Sequence, residues 1–394
     1  MSRVDSDCLP SAWSSREKVC AGCFEDADLR RYIRAQAGPR GCSFCNRCSA
    51  PTAAVGEVAG YIADRMGTFY GRAVDQLPYD GREGGYQGWH PDTRELLFGE
   101  IGLDLPHDGD GRLAQALLDE IGDDAWTSFE WLKLEIDESF ALDWNRFCTT
   151  VKHQRRFFFL AIGPGEPHDP DARALHEFLY DLGRLIDELG LIKTMPVGYA
   201  LHRARAREPG LRFTTARELG PPPAEFATQF NRVNPPGIPM FYGAENRALA
   251  CAEARQPLLS VGRFVADRLV RLLDLATLAP VPGFFSAASR RECQGYRFLH
   301  AFAGLIAKPV AGDDRTHIDY IPTQVLTEFL RDFPFAGGPI DGVRYRSATT
   351  MPGTNTVLFA TQAEVCDRPP DEPFGEAWPW LRLVSVRHLE LAVA

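Results

Sequence analysis

The residues with the clearest chemical potential lie between Asn231 and Glu253, where a turn, a strand and a helix are expected to meet. The Asn-Pro-Pro-Gly sequence at 234–237 predicts a turn, because prolines remove amide donors and glycine permits a sharp reversal. The apolar run 238–242 predicts a buried strand. The stretch 244–255 predicts a helix, since it is rich in helix formers and contains neither Gly nor Pro.

Glu253 is the candidate catalytic carboxylate of this stretch. On the predicted helix it shares one face with Leu249 and Ala250, so its side chain is expected to be buried. A buried carboxylate needs a partner or a chemical role, and the nearest candidates are Arg232 in the turn and Tyr242 at the end of the strand. The alternative is an exposed helix glutamate beside a structural arginine.

A second group of reactive residues is formed by two CxxC knuckles near the N-terminus. Four thiolates in this spacing suit a closed tetrahedral Zn²⁺ site, and the ligands would be Cys20, Cys23, Cys42 and Cys45. Cys48 is a spare that could substitute for a ligand. A redox CxxC is the alternative, but we expect the zinc to be structural, because a closed four-sulfur site leaves no catalytic position.

The elements around these residues predict an α+β protein. Helices are expected at 55–70, 112–121 and 139–154, then another at 320–331 with Thr323 as its N-cap. Short strands are expected around 199–205, 343–347 and 355–359, which indicates a mixed α/β region with a small sheet. We therefore expect a disordered tail at 1–17, a zinc ribbon at 18–50, a helical domain at 51–162, a linker and bridging helix at 163–195, and a mixed α/β domain at 196–394.

The bulk composition narrows the class of protein. The chain has 394 residues, 45% of them hydrophobic, and a formal net charge of -10, which argues against nucleic-acid binding through its overall field. No apolar leader or membrane-spanning run is apparent, and cysteines in paired spacings favour metal binding in a reducing cytosol, so a cytoplasmic location is expected. Neither a GxGxxG nor a GxxxxGK[ST] motif is present, which excludes the common phosphate-binding loops for dinucleotide cofactors and nucleoside triphosphates.

Several phrases in the C-terminal half together resemble the RES domain. They are HRAR, NRVNPPGIPMFYGAENRALACAEA, YIPTQVLTEFLR, GVRYRS and NTVLF, in this order between Tyr199 and Phe359. The resemblance implies a fold similar to the ADP-ribosyltransferases and a bacterial toxin or defence effector that consumes NAD⁺. By position it implies catalytic roles for Glu253, Arg232 and Ser347, and binding of NAD⁺ by Arg203 and Tyr242. One departure is that Phe-Asn-Arg-Val stands at 230–233, where the family usually has Gly-Gly-Arg-Trp.

The N-terminal half resembles the HEPN-like domain that precedes RES domains. The similarity rests on the knuckles and on REGGYQGW, TRELLFGEIGLDLP and FCTTVKHQRRFFF. Relatives that cleave RNA use an arginine and a histidine at the spacing of Arg146 and His153, with the histidine as acid or base. RNA cleavage remains the disfavoured alternative, against a helix face that docks onto the next domain or a partner.

The residue types fit cleavage of the nicotinamide–ribose bond of NAD⁺ as a substrate. Guanidinium groups recognise pyrophosphate, Tyr242 offers a stacking surface, and Ser347 would fix a hydroxyl or the carboxamide. The carboxylate of Glu253 would stabilise an oxocarbenium-like ribose. Hydrolysis (glycohydrolase) and phosphorolysis (phosphorylase) are both open, and ADP-ribosyl transfer to a macromolecule is the main alternative. An antitoxin or regulatory protein is an expected partner, and homo-oligomerisation is left open.

Overall fold

The computed structural model describes residues 17–36, 38, 40–45, 50–129, 135–157, 174–307, 316–349, 351–368 and 378–391. The expected tail before residue 17, Cys48 and the linker as far as residue 173 lie outside the described residues. The chain forms two compact units. The first, here called the cysteine unit, contains Met1–Leu134 and Val281–Cys293, and the second, the sheet unit, contains Glu135–Pro280 and Gln294–Ala394.

The cysteine unit is a helical fold with short antiparallel strand pairs. Its elements are β1 (Lys18–Cys20), α1 (Ala27–Ala35), β2 (Thr52–Ala54), α2 (Val55–Phe69), β3 (Tyr70–Arg72), α3 (Ala73–Gln76), β4 (Tyr79–Asp80), β5 (Gly85–Tyr86), α4 (Arg112–Ile121) and β6 (Trp126–Ser128). The apolar stripe of α2 is buried at Val58, Ile62 and Met66, as its helical spacing predicts. The predictions for α2 and α4 are confirmed, the latter at both ends.

A distant stretch of chain, 281–293, completes the cysteine unit. Phe285 is 3% exposed and belongs to the same apolar core as α1 and α2. The Tyr61 hydroxyl donates to the Phe285 carbonyl at 2.7 Å, and Arg65 donates to the Ala288 carbonyl at 2.6 Å. Main-chain carbonyls of this stretch are therefore held by side chains of α2.

The sheet unit contains the remaining elements, except that the first four residues of the helix Arg290–Ala307 belong to the cysteine unit. These elements are α5 (Ile136–His153), α6 (Leu175–Glu188), β7 (Ile192–Met195), β8 (Ala200–Ala206), α7 (Ala216–Leu219), β9 (Phe241–Ala244), α8 (Arg247–Ala254), β10 (Leu258–Ala266), β11 (Val270–Asp274), α9 (Arg290–Ala307), α10 (Thr316–Asp319), α11 (Ile321–Asp332), β12 (Gly342–Arg346), β13 (Thr354–Leu358), β14 (Val365–Cys366) and β15 (Leu381–Glu390). None of the helices in the described ranges is long and apolar enough to cross a membrane.

Helix α5 packs with the sheet unit, although the sequence places it in a helical domain that ends at residue 162. The Phe140 ring lies 5.9 Å from that of Phe178 and 5.1 Å from that of Phe298, and Phe147 is fully buried in the same core. The compact units therefore divide at residue 134, because the apolar face of α5 is buried by α6 and α9.

A nine-stranded mixed sheet organises this unit, in the order β14-β15-β10-β8-β9-β13-β12-β11-β7. The β11–β12 and β14–β15 pairs are parallel, whereas the other pairs are antiparallel. This confirms the expected α+β composition, with a helical N-terminal region and a mixed sheet in the C-terminal region.

Four neighbouring strands align one row of residues across the middle of the sheet. The register pairs His202 with Ala244, Ala244 with Asn355, and Asn355 with Tyr345. Residues directly opposite each other on paired strands project to the same face, so this row lies on one face. The apolar residues of α8 pack against β8, β9 and β10, including Ala244 of the row.

Three predicted element boundaries need correction. The buried strand expected at 238–242 is instead β9, which begins at Phe241, and Ile238 is 37% exposed. Helix α8 begins after Asn246, whose Oδ1 accepts the Leu249 amide at 2.9 Å, and it ends at Arg255, which has a φ of 49°. The helix is therefore shorter than the expected 244–255. The expected N-cap Thr323 is also wrong, because α11 begins after Tyr320 and has proline in its first turn.

Candidate functional site

A cavity of about 210 Å³ lies in the sheet unit beside the row of residues defined above. Its walls combine small residues with polar and aromatic side chains, namely His202, Arg203, Tyr242, Glu253, Tyr345 and Asn355. Three of the five sequence-predicted site residues, Glu253, Arg203 and Tyr242, are thus brought together.

Glu253 is the acidic residue of the cavity wall, and its environment differs from the expected one. The residue is exposed, so the prediction of a buried carboxylate is wrong. Its Oε1 atom nevertheless accepts hydrogen bonds from Ser347 Oγ at 2.6 Å and from Asn355 Nδ2 at 2.5 Å. The apolar residues of α8 face the sheet, whereas Glu253 reaches from the edge of the helix to β13 and to the residue that follows β12.

Ser347 is held in place on both sides of its hydroxyl. While Oγ donates to Glu253, it accepts the Thr349 amide at 3.1 Å, and the Ser347 amide donates to the Gly353 carbonyl at 2.9 Å. The serine therefore contacts the candidate catalytic carboxylate directly, as one element of a fixed turn between β12 and β13.

Arg203 lies between the cavity and the apolar core under the sheet. Its Nη1 atom donates to the Tyr242 carbonyl at 3.0 Å, and its guanidinium carbon lies 5.5 Å from the Phe241 ring centre. Burial lowers the pKa of Arg203 to about 10, so the side chain still carries its charge at neutral pH.

Two buried nitrogens at the cavity lack hydrogen-bond partners within the described part of the chain. They are Arg203 Nε and His202 Nδ1. Burial lowers the pKa of His202, and the nearby Arg263 lowers it further. Buried polar atoms are rarely left unpaired, so these two nitrogens are groups that a ligand in the cavity could engage.

Tyr242 connects the cavity to the Asn-Pro-Pro-Gly turn. Its hydroxyl donates to Asn234 Oδ1 at 2.5 Å, and Asn234 Nδ2 donates to the Ile238 carbonyl at 2.6 Å. Asn234 is 2% exposed, so this short network replaces solvent contacts. Burial raises the pKa of Tyr242 well above its usual value, which keeps the hydroxyl protonated as a donor.

Arg232 lies beside the cavity between two aromatic rings. Its guanidinium carbon is 5.9 Å from the Tyr320 ring centre and 5.8 Å from that of Tyr345. Its carbonyl accepts a hydrogen bond from Thr323 Oγ1, so the threonine that was expected to cap α11 instead holds the arginine loop. Two aromatic rings therefore flank the Arg232 guanidinium, although Val233 stands where the family usually has tryptophan.

Three wall residues were not identified from the sequence. Asn355 and Tyr345 lie on predicted strands. Alternation along 343–347 places Tyr345 on the same face as Ser347, but Asn355 comes next to them only because its strand, β13, pairs with β12. His202 directly precedes Arg203, and its place on the wall follows from its register with Ala244. Strand pairing is a long-range property that spacing along one strand does not reveal.

The four knuckle cysteines form a compact cluster in the cysteine unit. The Sγ atom of Cys20 lies 3.9 Å from Sγ of Cys23 and 3.5 Å from Sγ of Cys45. The Sγ atoms of Cys23 and Cys42 are 3.6 Å apart. All four sulfurs lie within 4.8 Å of one another, so the cluster could hold a metal ion. The sulfurs of a tetrahedral ZnS₄ site with bonds of about 2.3 Å are about 3.8 Å apart, which the observed spacings match.

The thiols of this cluster differ in acidity. Burial opposes ionisation of Cys42, but backbone amides of Phe44, Cys45 and Cys20 hydrogen-bond its sulfur and lower its pKa to about 7. Burial raises the pKa of Cys20 and of Cys23. Amides directed at one sulfur are an arrangement suited to a thiolate ligand.

The Arg146–His153 pair lies on α5. Arg146 Nη1 is 3.3 Å from the carboxylate of Asp143, which is itself 3% exposed, and His153 is exposed at the last residue of the helix. The arginine is therefore engaged in an ion pair within its own helix.

Comparison with known families agrees with these observations. Residues 35–164 match the family described as HEPN/RES N-terminal domain 1, and residues 200–381 match the RES domain. No curated protein and no solved structure matches the chain. The RES match spans every residue of the cavity wall, and it confirms the resemblance drawn from the sequence phrases. The chain therefore contains a RES domain at 200–381, preceded by a HEPN/RES N-terminal domain at 35–164.

Proposed function

We propose that the RES domain cleaves the nicotinamide–ribose bond of NAD⁺. The RES match supports an NAD⁺-related activity at the level of the family. The observation that carries the proposal is the carboxylate of Glu253, fixed by Ser347 and Asn355 at a cavity that also contains the charged Arg203 and the ring of Tyr242.

The chemistry requires little beyond charge stabilisation. Nicotinamide leaves with the electron pair of its bond to ribose as a neutral base, so no general acid is needed. The ribose then carries positive charge, which a fixed carboxylate stabilises. Water or phosphate completes the reaction by attacking the same carbon, and a water nucleophile gives up one proton.

The cavity has the features of a site for one end of the substrate. Its volume of about 210 Å³ is below the range of about 300–1,000 Å³ typical of sites for whole ligands, so it suits the nicotinamide riboside end. Arg203 Nε can donate to a substrate oxygen, and His202 Nδ1 can donate to one or accept from a substrate hydroxyl, according to its tautomer. Arg232 adds a positive charge beside Tyr345. In this proposal the fold is ADP-ribosyltransferase-like.

The metal of the cysteine unit is proposed to be Zn²⁺. Four buried or partly buried sulfurs at the spacing of a ZnS₄ tetrahedron support this choice. Cys20, Cys23, Cys42 and Cys45 would occupy all four positions, so the ion would stabilise the fold and would take no part in the reaction.

The biological setting follows from the activity. Destruction of NAD⁺ suits a toxin or defence effector in the cytoplasm, restrained by an antitoxin or another regulatory protein. The ion pair of Arg146 with Asp143 gives no support to RNA cleavage by the HEPN/RES N-terminal domain.

The direct test is incubation of the full-length protein with NAD⁺, with and without phosphate, and identification of the products. Release of nicotinamide with ADP-ribose indicates hydrolysis, and a phosphorylated ADP-ribose indicates phosphorolysis. Glu253→Gln should lower the rate on the order of 100-fold or more, since it removes the charge that stabilises the ribose. Label from NAD⁺ on a macromolecule would favour the transferase alternative.

A matched control is available nearby. Glu245 accepts from Thr354 Oγ1 at 2.7 Å and is not part of the cavity wall, so Glu245→Gln should retain activity. Equal rates for wild type and Glu253→Gln would contradict the role of this carboxylate, and absence of nicotinamide release from the wild type would contradict the proposed function.

A further inference from the structure

Both hydrogen bonds to the Glu253 side chain converge on one of its oxygens. Ser347 Oγ and Asn355 Nδ2 approach Oε1 at 2.6 and 2.5 Å. Among the described residues, Oε2 has no recorded hydrogen-bond partner. The carboxylate is therefore asymmetric, with one oxygen committed to the protein and the other available to a ligand.

Asn355 is well placed to impose this asymmetry. It lies on β13, which is paired on both sides, with Ala244 of β9 and Tyr345 of β12 directly opposite. The residue is 9% exposed, so its amide is shielded from competing water. A donor on a central strand has little freedom to move, in contrast to the exposed helix edge that carries Glu253.

The identity of the amide atom that contacts Glu253 follows from chemistry. An ionised carboxylate only accepts hydrogen bonds, so the Asn355 group next to Oε1 must be the NH₂. Hydrogen bonds to charged groups are among the stronger ones in proteins, which makes a buried amide an effective anchor for an otherwise exposed side chain.

We propose that Asn355 is a positioning residue of the active site. It holds Oε1 together with Ser347 and thereby presents Oε2 to the ribose hydroxyls or to the incoming nucleophile. This inference rests on the proposed cleavage of NAD⁺. Asn355 acts through Glu253, so its loss should lower kcat and leave KM nearly unchanged.

The decisive variant is Asn355→Asp, which keeps the shape and removes the donor. The titratable and charged groups around this position are Glu253 on α8, Tyr345 on β12, Tyr242 on β9, and His202 and Arg203 on β8. Because wild type carries the same His202, its titration cancels in a ratio of variant to wild-type rate. At pH 8 two carboxylates would face each other at Oε1 and repel. At lower pH the like charges favour a shared proton, and a protonated carboxyl donates a hydrogen bond as the amide does.

The measured quantity is the rate of Asn355→Asp divided by the rate of wild type at the same pH. We expect this ratio to rise as the pH falls from about 8 to about 5, because a carboxyl with a raised pKa titrates in that range. Asn355→Ala should show a ratio that does not change with pH, with kcat lowered on the order of 10- to 100-fold. If the Asn355→Asp protein does not fold, Asn355→Ala still tests the assignment. Its kcat and KM can be measured separately, and a positioning role predicts that only kcat falls.

The control is Thr356→Val on the same strand. Thr356 is 1% exposed and its hydroxyl contacts Tyr199 at 2.9 Å, on the face opposite to Asn355. This variant should lose stability and keep the wild-type kcat. A wild-type kcat in Asn355→Ala, or an Asn355→Asp ratio that is independent of pH, would overturn the assignment. A wild type without nicotinamide release is a different outcome, which overturns the proposed function itself.

Discussion

The Tyr242 hydroxyl donates to Asn234 Oδ1 across 2.5 Å and so joins the cavity wall to the Asn-Pro-Pro-Gly turn. Gln324 of α11 holds the same turn by donating to the Asn231 carbonyl at 2.7 Å and to the Asn234 carbonyl at 3.2 Å. The loop that carries Arg232 is therefore fixed at both its side chains and its main chain.

Tyr242→Phe should destabilise the protein by about 1–3 kcal/mol, because it leaves the buried Asn234 Oδ1 without its donor. It should also raise KM for NAD⁺, since the loop that carries Arg232 loses the hydrogen bond between Tyr242 and Asn234. Urea unfolding and nicotinamide release measure the two effects. Tyr199→Phe is the matched control: its hydroxyl contacts Thr356 away from the cavity, so stability should fall while KM stays constant.

Ser347→Ala should reduce kcat/KM for NAD⁺ on the order of 10- to 100-fold, the effect of losing one hydrogen bond to a charged group. The physical reason is that Glu253 keeps only the Asn355 donor. Steady-state kinetics of nicotinamide release test it. Ser260→Ala is a suitable comparison, because this buried serine contacts His388 on β15 and should affect stability alone. Similar kinetic losses in both variants would show that the effect is not specific to Glu253.

The contrast between Glu253 and Arg203 shows how far the sequence leads. Helical spacing pointed to Glu253, whereas Arg203 was identified only through the resemblance of its phrase to the RES domain. Spacing also predicted that Glu253 is buried, which is wrong. The apolar residues of α8 pack on β8, β9 and β10, whereas the side chain of Glu253 is exposed and reaches Ser347 and Asn355. The partner Asn355 was missed, since its position depends on strand register.

Acid should destabilise the sheet unit partly through His202. Its folded-state pKa is lowered by burial and by Arg263, with Arg247 on α8 adding to the effect. The unfolded chain therefore binds this proton more readily, and stability is lost as the pH falls below about 6.5. His202→Gln should flatten this part of the stability profile relative to wild type. Denaturant unfolding between about pH 5 and about pH 8 tests this, and parallel profiles would contradict it.

Removal of the metal should unfold the cysteine unit. Metal analysis should find one Zn²⁺ per chain, and a chelator should lower the melting temperature, because the binding energy of a structural zinc contributes to folding. Cys42→Ala should lose the ion. Cys148→Ala, a partly buried thiol on α5 outside the cluster, should retain it. A metal-free protein with unchanged melting would argue against a structural site.

The division of the chain into compact units cannot be predicted from the secondary structure alone. The spacing of Phe140 and Phe147 predicts that they share one apolar face of a helix, but the sequence does not say which aromatic residues cover that face. Contacts with Phe178 and Phe298 assign α5 to the sheet unit. The association of 281–293 with α2 left no periodic signal at all, because it depends on two side chains that hold main-chain carbonyls.

The stretch 281–293 makes the cysteine unit a product of two separate parts of the gene. A recombination event with a single crossover after residue 134 would deliver Tyr61 and Arg65 without the carbonyls that they bind. The recipient RES sequence would need its own equivalent of Phe285 to fill the vacated core. Tyr61 and Arg65 of α2 and the stretch 281–293 that they hold are therefore expected to change together in sequence.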